Sequence, residues 1–205
     1  RQRQMCIRDS FKDLSCINYA NCKNGGTITV SNGSYGKAGE VMTVYPCNMS
    51  SANTDGSIKK FAISFQGVDF SISDTVNIIA TLTEGNAAEI TIGDDCIMAE
   101  NTTILPNRNT VGSSILTYNG DYYIAGTATI TEDITARNIY LGNNQGGNYA
   151  PGNLTIPEGV TITASETVYI PVCTTVVLEG TIVGDIKNPN ADATGVGRIC
   201  VNGGN

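Results

Sequence analysis

Residues 154–183 read LTIPEGVTITASETVYIPVCTTVVLEGTIV and repeat one short apolar phrase four times. Leu154-Thr-Ile, Val160-Thr-Ile, Val168-Tyr-Ile and Val176-Val-Leu begin six to eight residues apart, with predicted turns at 157–159, 164–167 and 171–175. β-Branched residues favour strands, and short strands at a steady spacing are typical of chains that wind into stacked turns. Because one such turn cannot bury its own apolar face, the repeat predicts a solenoid of parallel strands.

The composition of the whole chain supports an all-β class. Its 205 residues include 23 glycines, and Thr and Asn are abundant, a mixture that favours strands joined by tight turns over helices. No stretch shows the 3.6-residue periodicity of an amphipathic helix. We therefore expect no helical domain.

The charge balance excludes several classes of function. The chain carries 12 Lys and Arg against 19 Asp and Glu, a net charge of −7. Nucleic-acid binding depends on clustered basic residues, so we expect no nucleic-acid partner. No apolar stretch approaches the roughly 20 residues of a spanning helix. The chain has no histidine, which excludes Ser-His and Cys-His nucleophiles, and zinc is not expected because no Cys-x-x-Cys pair is present.

The first ten residues, RQRQMCIRDS, differ in character from the rest. They resemble the translation of a sequencing-library adapter, so we interpret 1–10 as an artefact and exclude them from the fold. This interpretation implies a metagenomic source and a missing natural N-terminus. Residues 201–205 read as a turn and not as the polar cap that a solenoid needs, so we expect the C-terminus to be cut as well.

Two regions follow the adapter-like segment. Residues 11–110 form a β-rich N-terminal region, either sandwich-like or the first turns of the same solenoid, and residues 111–205 form further turns. A polar linker is expected at 106–114. Within 24–46, alternating strands around the turn Lys37-Ala-Gly-Glu40 resemble the opening hairpin of small Ig-like or bacterial-repeat modules.

The segment from Tyr118-Asn-Gly-Asp-Tyr-Tyr to Thr127-Ala-Thr-Ile-Thr-Glu-Asp, together with LTIPEGVTI, resembles bacterial β-helix surface proteins. The resemblance covers about residues 115–204. It implies a right-handed parallel β-helix of the pectin-lyase-like type, an architecture common in adhesins and in exported carbohydrate-associated proteins. We therefore expect an extracellular or cell-surface location.

Two polar loops, 142–152 and 185–197, interrupt the strand rhythm. Insertions in solenoids map to one face, which is often the binding face. Tyrosines beside amide side chains can stack on sugar rings and hydrogen-bond their hydroxyls, although tyrosine also simply fills strand faces. The predicted glycan-binding residues are Tyr118, Tyr122, Tyr140, Asn143, Asn144, Gln145 and Tyr149.

Acidic pairs and cysteines supply the remaining candidate sites. Asp94 and Asp95 follow a glycine and offer oxygen ligands for calcium, with a solvated turn as the alternative. No other cofactor is expected and no catalytic residue is assigned. Cys16 and Cys22 enclose a short loop and are predicted to form a disulfide, whereas Cys96 and Cys173 lie among apolar residues typical of buried thiols.

These observations predict a non-enzymatic adhesin or stalk that contacts a polysaccharide or host-surface glycan weakly. One alternative is a polysaccharide lyase or hydrolase of pectin-lyase-like fold, which would need carboxylates and a base in one groove. A second alternative is a structural filament or fibre subunit.

Overall fold

The computed structural model describes residues 25–47, 49, 52–145, 148–189 and 198–204. Within these residues the regular structure is entirely β-strand and the pairing is mostly parallel, which confirms the predicted all-β class. The adapter-like residues 1–10 and the predicted Cys16–Cys22 disulfide lie outside the described part of the chain.

The described strands are numbered in chain order. They are β1 (Gly26–Ser34), β2 (Val41–Val44), β3 (Lys59–Asp69), β4 (Thr75–Ile79), β5 (Asn86–Ile92), β6 (Asn101–Leu105), β7 (Ser113–Tyr118), β8 (Asp121–Thr129), β9 (Ile134–Leu141), β10 (Asn143–Gln145), β11 (Asn148–Ala150), β12 (Gly152–Ile156), β13 (Thr161–Tyr169), β14 (Thr175–Leu178), β15 (Thr181–Lys187) and β16 (Arg198–Val201).

Strands β1 to β7 form what we call the N-terminal stack. The odd-numbered strands pair in parallel in the order β1-β3-β5-β7, and the even-numbered strands pair in parallel as β2-β4-β6. Phe61 pairs with Ala88, and Ala88 with Ser114, so the chain returns to the same position in the sheet after nearly equal steps. This spacing keeps inward-facing positions aligned from strand to strand, as the alternation of side chains along a strand requires.

The prediction of a hairpin within 24–46 is wrong. The turn exists, with the Glu40 amide donating to the Lys37 carbonyl at 3.1 Å. The strands on either side belong to different sheets, however, because β1 pairs with β3 and β2 pairs with β4. A turn motif fixes where the chain bends but not which strands become neighbours.

A true hairpin joins the two halves of the molecule. β7 and β8 pair antiparallel from Tyr118↔Asp121 to Ser113↔Gly126. Asn119 and Gly120, at the tip, have φ values of 49° and 75°. Positive φ at both central residues is what a two-residue type I′ turn needs, and Asn-Gly is its preferred sequence.

Strands β8 to β16 form the C-terminal stack. β8, β12, β14 and β16 pair in parallel, and β13 pairs in parallel with β9 and β15. The steps from Asn153 to Thr175 and from Thr175 to Arg198 are nearly equal and shorter than those of the N-terminal stack. Between β8 and β12, the antiparallel ribbon β10–β11 lengthens the step that runs from Gly126 to Gly152.

The four phrases of the diagnostic stretch occupy three strands. Leu154 lies in β12 and Val176 in β14, as predicted, but Val160-Thr-Ile leads into β13 and Val168-Tyr-Ile closes it. The predicted turn at 164–167 is wrong. The register of β13 shifts there against both neighbours, and Ser165 and Glu166 are exposed between buried flanks. Ser165 and Glu166 thus bulge outward while the strand continues.

The hairpin separates two apolar cores. Leu116 and Tyr123, a cross-strand pair, belong to the N-terminal core, whereas Ile115 and Ile124, the next pair, face the C-terminal core. Adjacent residues of a strand point to opposite faces, so one hairpin serves as a wall shared by both stacks. This arrangement leaves a concave surface where the two stacks meet.

Candidate ligand groove

An open groove of about 580 Å³ lies where the outer face of the N-terminal sheet meets the C-terminal stack. We call it the junction groove. Its lining combines outward-facing residues of β1, β3, β5 and β7 with the segment 128–134, which connects β8 to β9.

The floor of the junction groove follows from strand register. Thr27 pairs with Ala62, Ala62 with Glu89, and Glu89 with Ile115. These residues alternate with core residues such as Phe61, so their side chains point away from the N-terminal core. The floor thus has apolar surface at Ala62 and Ile115, on either side of the Glu89 carboxylate.

The opposite wall is held by the C-terminal core. Ile130 and Ile134 are buried in that core, while Thr131 and Glu132 between them are exposed. The Ile130 amide donates to the Thr155 carbonyl at 2.9 Å. The Asp133 carboxylate accepts from the Thr161 amide at 2.8 Å. These contacts fix the wall and leave Glu132 at the groove.

Tyr122 lies between the floor and the wall. Burial raises the pKa of its phenol to about 12, and the charges of Glu132 and Glu89 add to the effect. The phenol therefore stays protonated at neutral pH and can both donate and accept a hydrogen bond. Two carboxylates from opposite sides of the groove thus act on the same hydroxyl.

The lining suits a ligand with apolar faces and polar edges. Alanine and isoleucine side chains supply the apolar surface, and hydroxyl groups, carboxylates and Lys60 supply the polar groups. A volume of about 580 Å³ falls within the roughly 300–1,000 Å³ typical of ligand sites. A pyranose ring has this amphipathic character, with C–H faces and hydroxyl edges.

Among the predicted glycan-binding residues whose side chains the structure describes, only Tyr122 lines the junction groove. Tyr118 and Tyr140 pack against the N-terminal core, on the other side of the hairpin. Tyr140 also stacks between Tyr123 and Tyr169, with ring centroids 4.3 and 4.6 Å away. We call these three stacked residues, Tyr123, Tyr140 and Tyr169, the tyrosine ladder. Both faces of the Tyr140 ring are covered by the neighbouring rings.

The predicted loop 142–152 forms the ribbon β10–β11. Asn143 is buried, and its amide donates to the Ile104 carbonyl at 2.5 Å, which ties the ribbon to β6. Asn144 pairs with Tyr149, and Gln145 with Asn148. The side chains of Asn144, Gln145 and Tyr149 lie outside the described residues. The described contacts thus place this ribbon against β6.

Asp94 and Asp95 occupy an exposed turn. The Cys96 amide donates to the Gly93 carbonyl at 3.0 Å and closes that turn. Among the described residues, no three His, Cys, Asp or Glu side chains converge in a way that could hold a metal ion. A calcium ion at this turn would thus need backbone or water oxygens in addition to the two carboxylates.

Cys96 and Cys173 are half-buried free thiols. The Cys96 sulfur lies 3.4 Å from the Phe65 carbonyl oxygen. Burial raises the pKa of the Cys173 thiol. Both environments agree with their interpretation as packing residues, and a raised thiol pKa makes Cys173 a poor nucleophile.

Sequence reasoning missed most of the junction groove. Lys60, Ala62 and Glu89 carry no motif, and Glu132 stands only in an acidic pair with Asp133. Their proximity depends on the pairing of strands that are distant in the sequence and on the reversal at the hairpin. The one available indication was Asn119-Gly120, a strong hairpin motif.

Comparisons with family models, curated proteins and solved structures gave no match for this chain. In the part of the chain that the structure describes, no helix has the length and apolar character needed to cross a membrane.

Proposed function

We propose that this protein is an exported or cell-surface parallel β-helix protein that binds glycans weakly in the junction groove, as an adhesin or stalk. The observation that carries the proposal is the groove itself, with an apolar floor at Ala62 and Ile115 and polar groups at its sides. The regular steps between parallel strands in both stacks support a parallel β-helix.

The open shape of the groove favours modest affinity. An open site leaves part of a ligand in water, so fewer polar groups are desolvated and fewer contacts form than in a closed pocket. A surface protein can compensate by presenting many copies, because linked weak contacts raise the overall avidity.

One observation favours a second candidate, a polysaccharide hydrolase. Glu89 and Glu132 enter the same groove from opposite sides, and both act on Tyr122. Most glycoside hydrolases place two carboxyl groups about 5–9.5 Å apart around the scissile bond. In such an enzyme, one glutamate would protonate the leaving oxygen and the other would act as nucleophile or base.

The test is a depletion experiment with insoluble polysaccharides and mucin, in which bound protein and released soluble sugar are measured in the same tubes. We expect depletion without sugar release. Ala62→Phe fills the groove and should lower binding at least tenfold. Ser64→Phe lies on the same face of β3 but outside the groove, so it should bind like the wild type.

The outcomes separate the candidates. Unchanged binding by Ala62→Phe would reject the groove as the site. Sugar release that disappears in both Glu89→Gln and Glu132→Gln would establish the hydrolase instead of the adhesin. Neither binding nor release on any polysaccharide would reject both.

A further inference from the structure

We propose that the junction groove selects glycans that carry free amino groups and disfavours those built from uronic acids. This inference rests on the proposed glycan-binding function and names the chemical class of its ligand. Its basis is the distribution of charge along the groove.

The charged side chains that line the groove are Lys60, Glu89 and Glu132, all exposed. The described ion pairs involve other groups: Lys37 with Glu40, Lys59 with Asp55, and Arg137 with Asp121. Two carboxylates therefore face the groove without a salt bridge in the described part of the chain, against one ammonium group. The whole chain also carries a net charge of −7.

The positions of these charges divide the groove into two parts. Glu89 stands in the middle of the floor, paired with Ala62 and Ile115. Lys60 lies two residues before Ala62 on β3, a displacement of roughly 7 Å along the strand. Glu132 comes from the opposite wall. A ligand at the centre of the groove thus meets carboxylates on both sides and the ammonium group at one end.

Tyr122 lies between these two carboxylates. Burial is the chief cause of the raised pKa of its phenol, and the negative charges of Glu132 and Glu89 add to the effect. The phenol and the carboxylates together offer hydrogen-bond acceptors to an ammonium group.

The chemistry then distinguishes sugars of similar shape. A protonated amino sugar can donate to a carboxylate while its hydroxyls bond to the neighbouring threonines. A uronate would bring a third carboxylate into the same space. A unit charge about 4 Å from another in water contributes roughly 1 kcal/mol, which is about fivefold in affinity. Salt reduces this effect at an exposed site.

The experiment compares three soluble hexamers by isothermal titration calorimetry with the full chain at low salt and about pH 5.5. The hexamers are glucosamine, N-acetylglucosamine and galacturonic acid. We expect the amine hexamer to bind about tenfold more tightly than its acetylated counterpart, and the uronate to bind least tightly. High salt should shrink the difference.

Matched variants locate the effect. Glu89→Gln and Glu132→Gln should each reduce the preference for the amine hexamer over the acetylated hexamer about threefold. Glu100→Gln makes the same charge change at an exposed site before β6 that does not line the groove, and it should preserve the preference.

Each outcome decides the inference. Equal binding of the amine and acetylated hexamers would overturn the selectivity and leave the proposed function standing. Failure of all three hexamers to bind would reject the proposed function, and the inference with it. If a lysine hexapeptide binds as tightly as the amine hexamer and depends on the same two glutamates, the site recognises basic peptides, which overturns the assignment to glycans.

Discussion

The two stacks share parallel strand pairing but fill their interiors differently. The N-terminal core is built around three phenylalanines, Phe61, Phe65 and Phe70. The buried members of the C-terminal core are Ile, Leu, Val and Ala residues. The C-terminal stack places aromatic rings on its outside instead, in the tyrosine ladder.

The length of chain in one turn explains this difference in side chains. A turn of the N-terminal stack uses a few more residues than a turn of the C-terminal stack. The aligned positions are Phe61, Ala88 and Ser114 in the first stack and Asn153, Thr175 and Arg198 in the second. A longer turn encloses a wider cross-section, and interiors are packed to a nearly constant density. The wider N-terminal stack therefore needs aromatic rings in its centre, while branched aliphatic chains fill the narrower one.

The largest expected effect comes from emptying the wide core. Phe65 is completely buried and packs edge-on against Phe70, with centroids 5.6 Å apart. We expect Phe65→Ala to reduce the free energy of unfolding by about 3–5 kcal/mol, measured by urea denaturation. Val41→Ala, at a side chain that is 64% exposed, should change it by less than about 0.5 kcal/mol. A loss below about 1 kcal/mol for Phe65→Ala would show that the wide core does not depend on this ring.

The contact between the stacks should be the next most sensitive feature. Gly126 and Gly120 have similar φ values of 82° and 75°. A Cβ at Gly126 would collide with the Gly112 carbonyl oxygen, whereas one at Gly120 would meet Arg137 Cβ at an ordinary 3.7 Å. We expect Gly126→Ala to cost about 2–4 kcal/mol and Gly120→Ala about 1 kcal/mol in the same assay.

Gly126→Ala and Gly120→Ala control for each other, because both place a Cβ on a residue with positive φ and therefore carry similar backbone strain. Equal costs for the two variants would mean that the close approach of β8 to the 106–112 segment is not rigid. The shared wall between the stacks would then be looser than the geometry indicates.

Strand positions could be read from the sequence where local chemistry decides them. The apolar phrases at 154 and 176 lie in strands because β-branched residues suit a strand and the intervening prolines and glycines suit turns. The bulge at Ser165 and Glu166 could not be read in this way. It depends on the neighbouring strands, which continue the pairing on both sides of these two residues.

The groove was less predictable because it depends on contacts that are distant in sequence. Tyr122 and Tyr123 are adjacent and chemically alike, yet one lines the groove and the other lies in the N-terminal core. Adjacent residues of a strand point to opposite faces, and the register of the hairpin decides which face each tyrosine occupies. The charge of Glu89 acts on the Tyr122 phenol only because β7 pairs with both β5 and β8.

A larger side chain in the C-terminal core tests whether the shorter turns of that stack limit the size of the residues inside it. Ile156 is completely buried, and it pairs with Leu178 on β14, one short turn later. We expect Ile156→Phe to cost about 1–3 kcal/mol, because a well-packed interior must distort to accept a ring. Ile156→Val, the matched small change, should cost about 0.5–1.5 kcal/mol. If Ile156→Phe were as stable as the wild type, the length of a turn would not limit side-chain size.

The smallest effect should appear only in alkaline solution, at the junction of the two stacks. The pKa of Tyr122 is raised from 10.0 to about 12, chiefly by burial, so the folded state favours the neutral phenol. This preference stabilises the fold fully below about pH 10 and is lost as pH rises through about 12. Tyr122→Phe has no phenol to ionise, so its urea midpoint should fall less than that of the wild type between pH 9 and about pH 11.5. The two midpoints should nearly coincide at pH 7, which provides the internal control. Parallel losses above pH 10 would place the Tyr122 hydroxyl in open water, and the phenol would then not be buried between the floor and the wall of the junction groove.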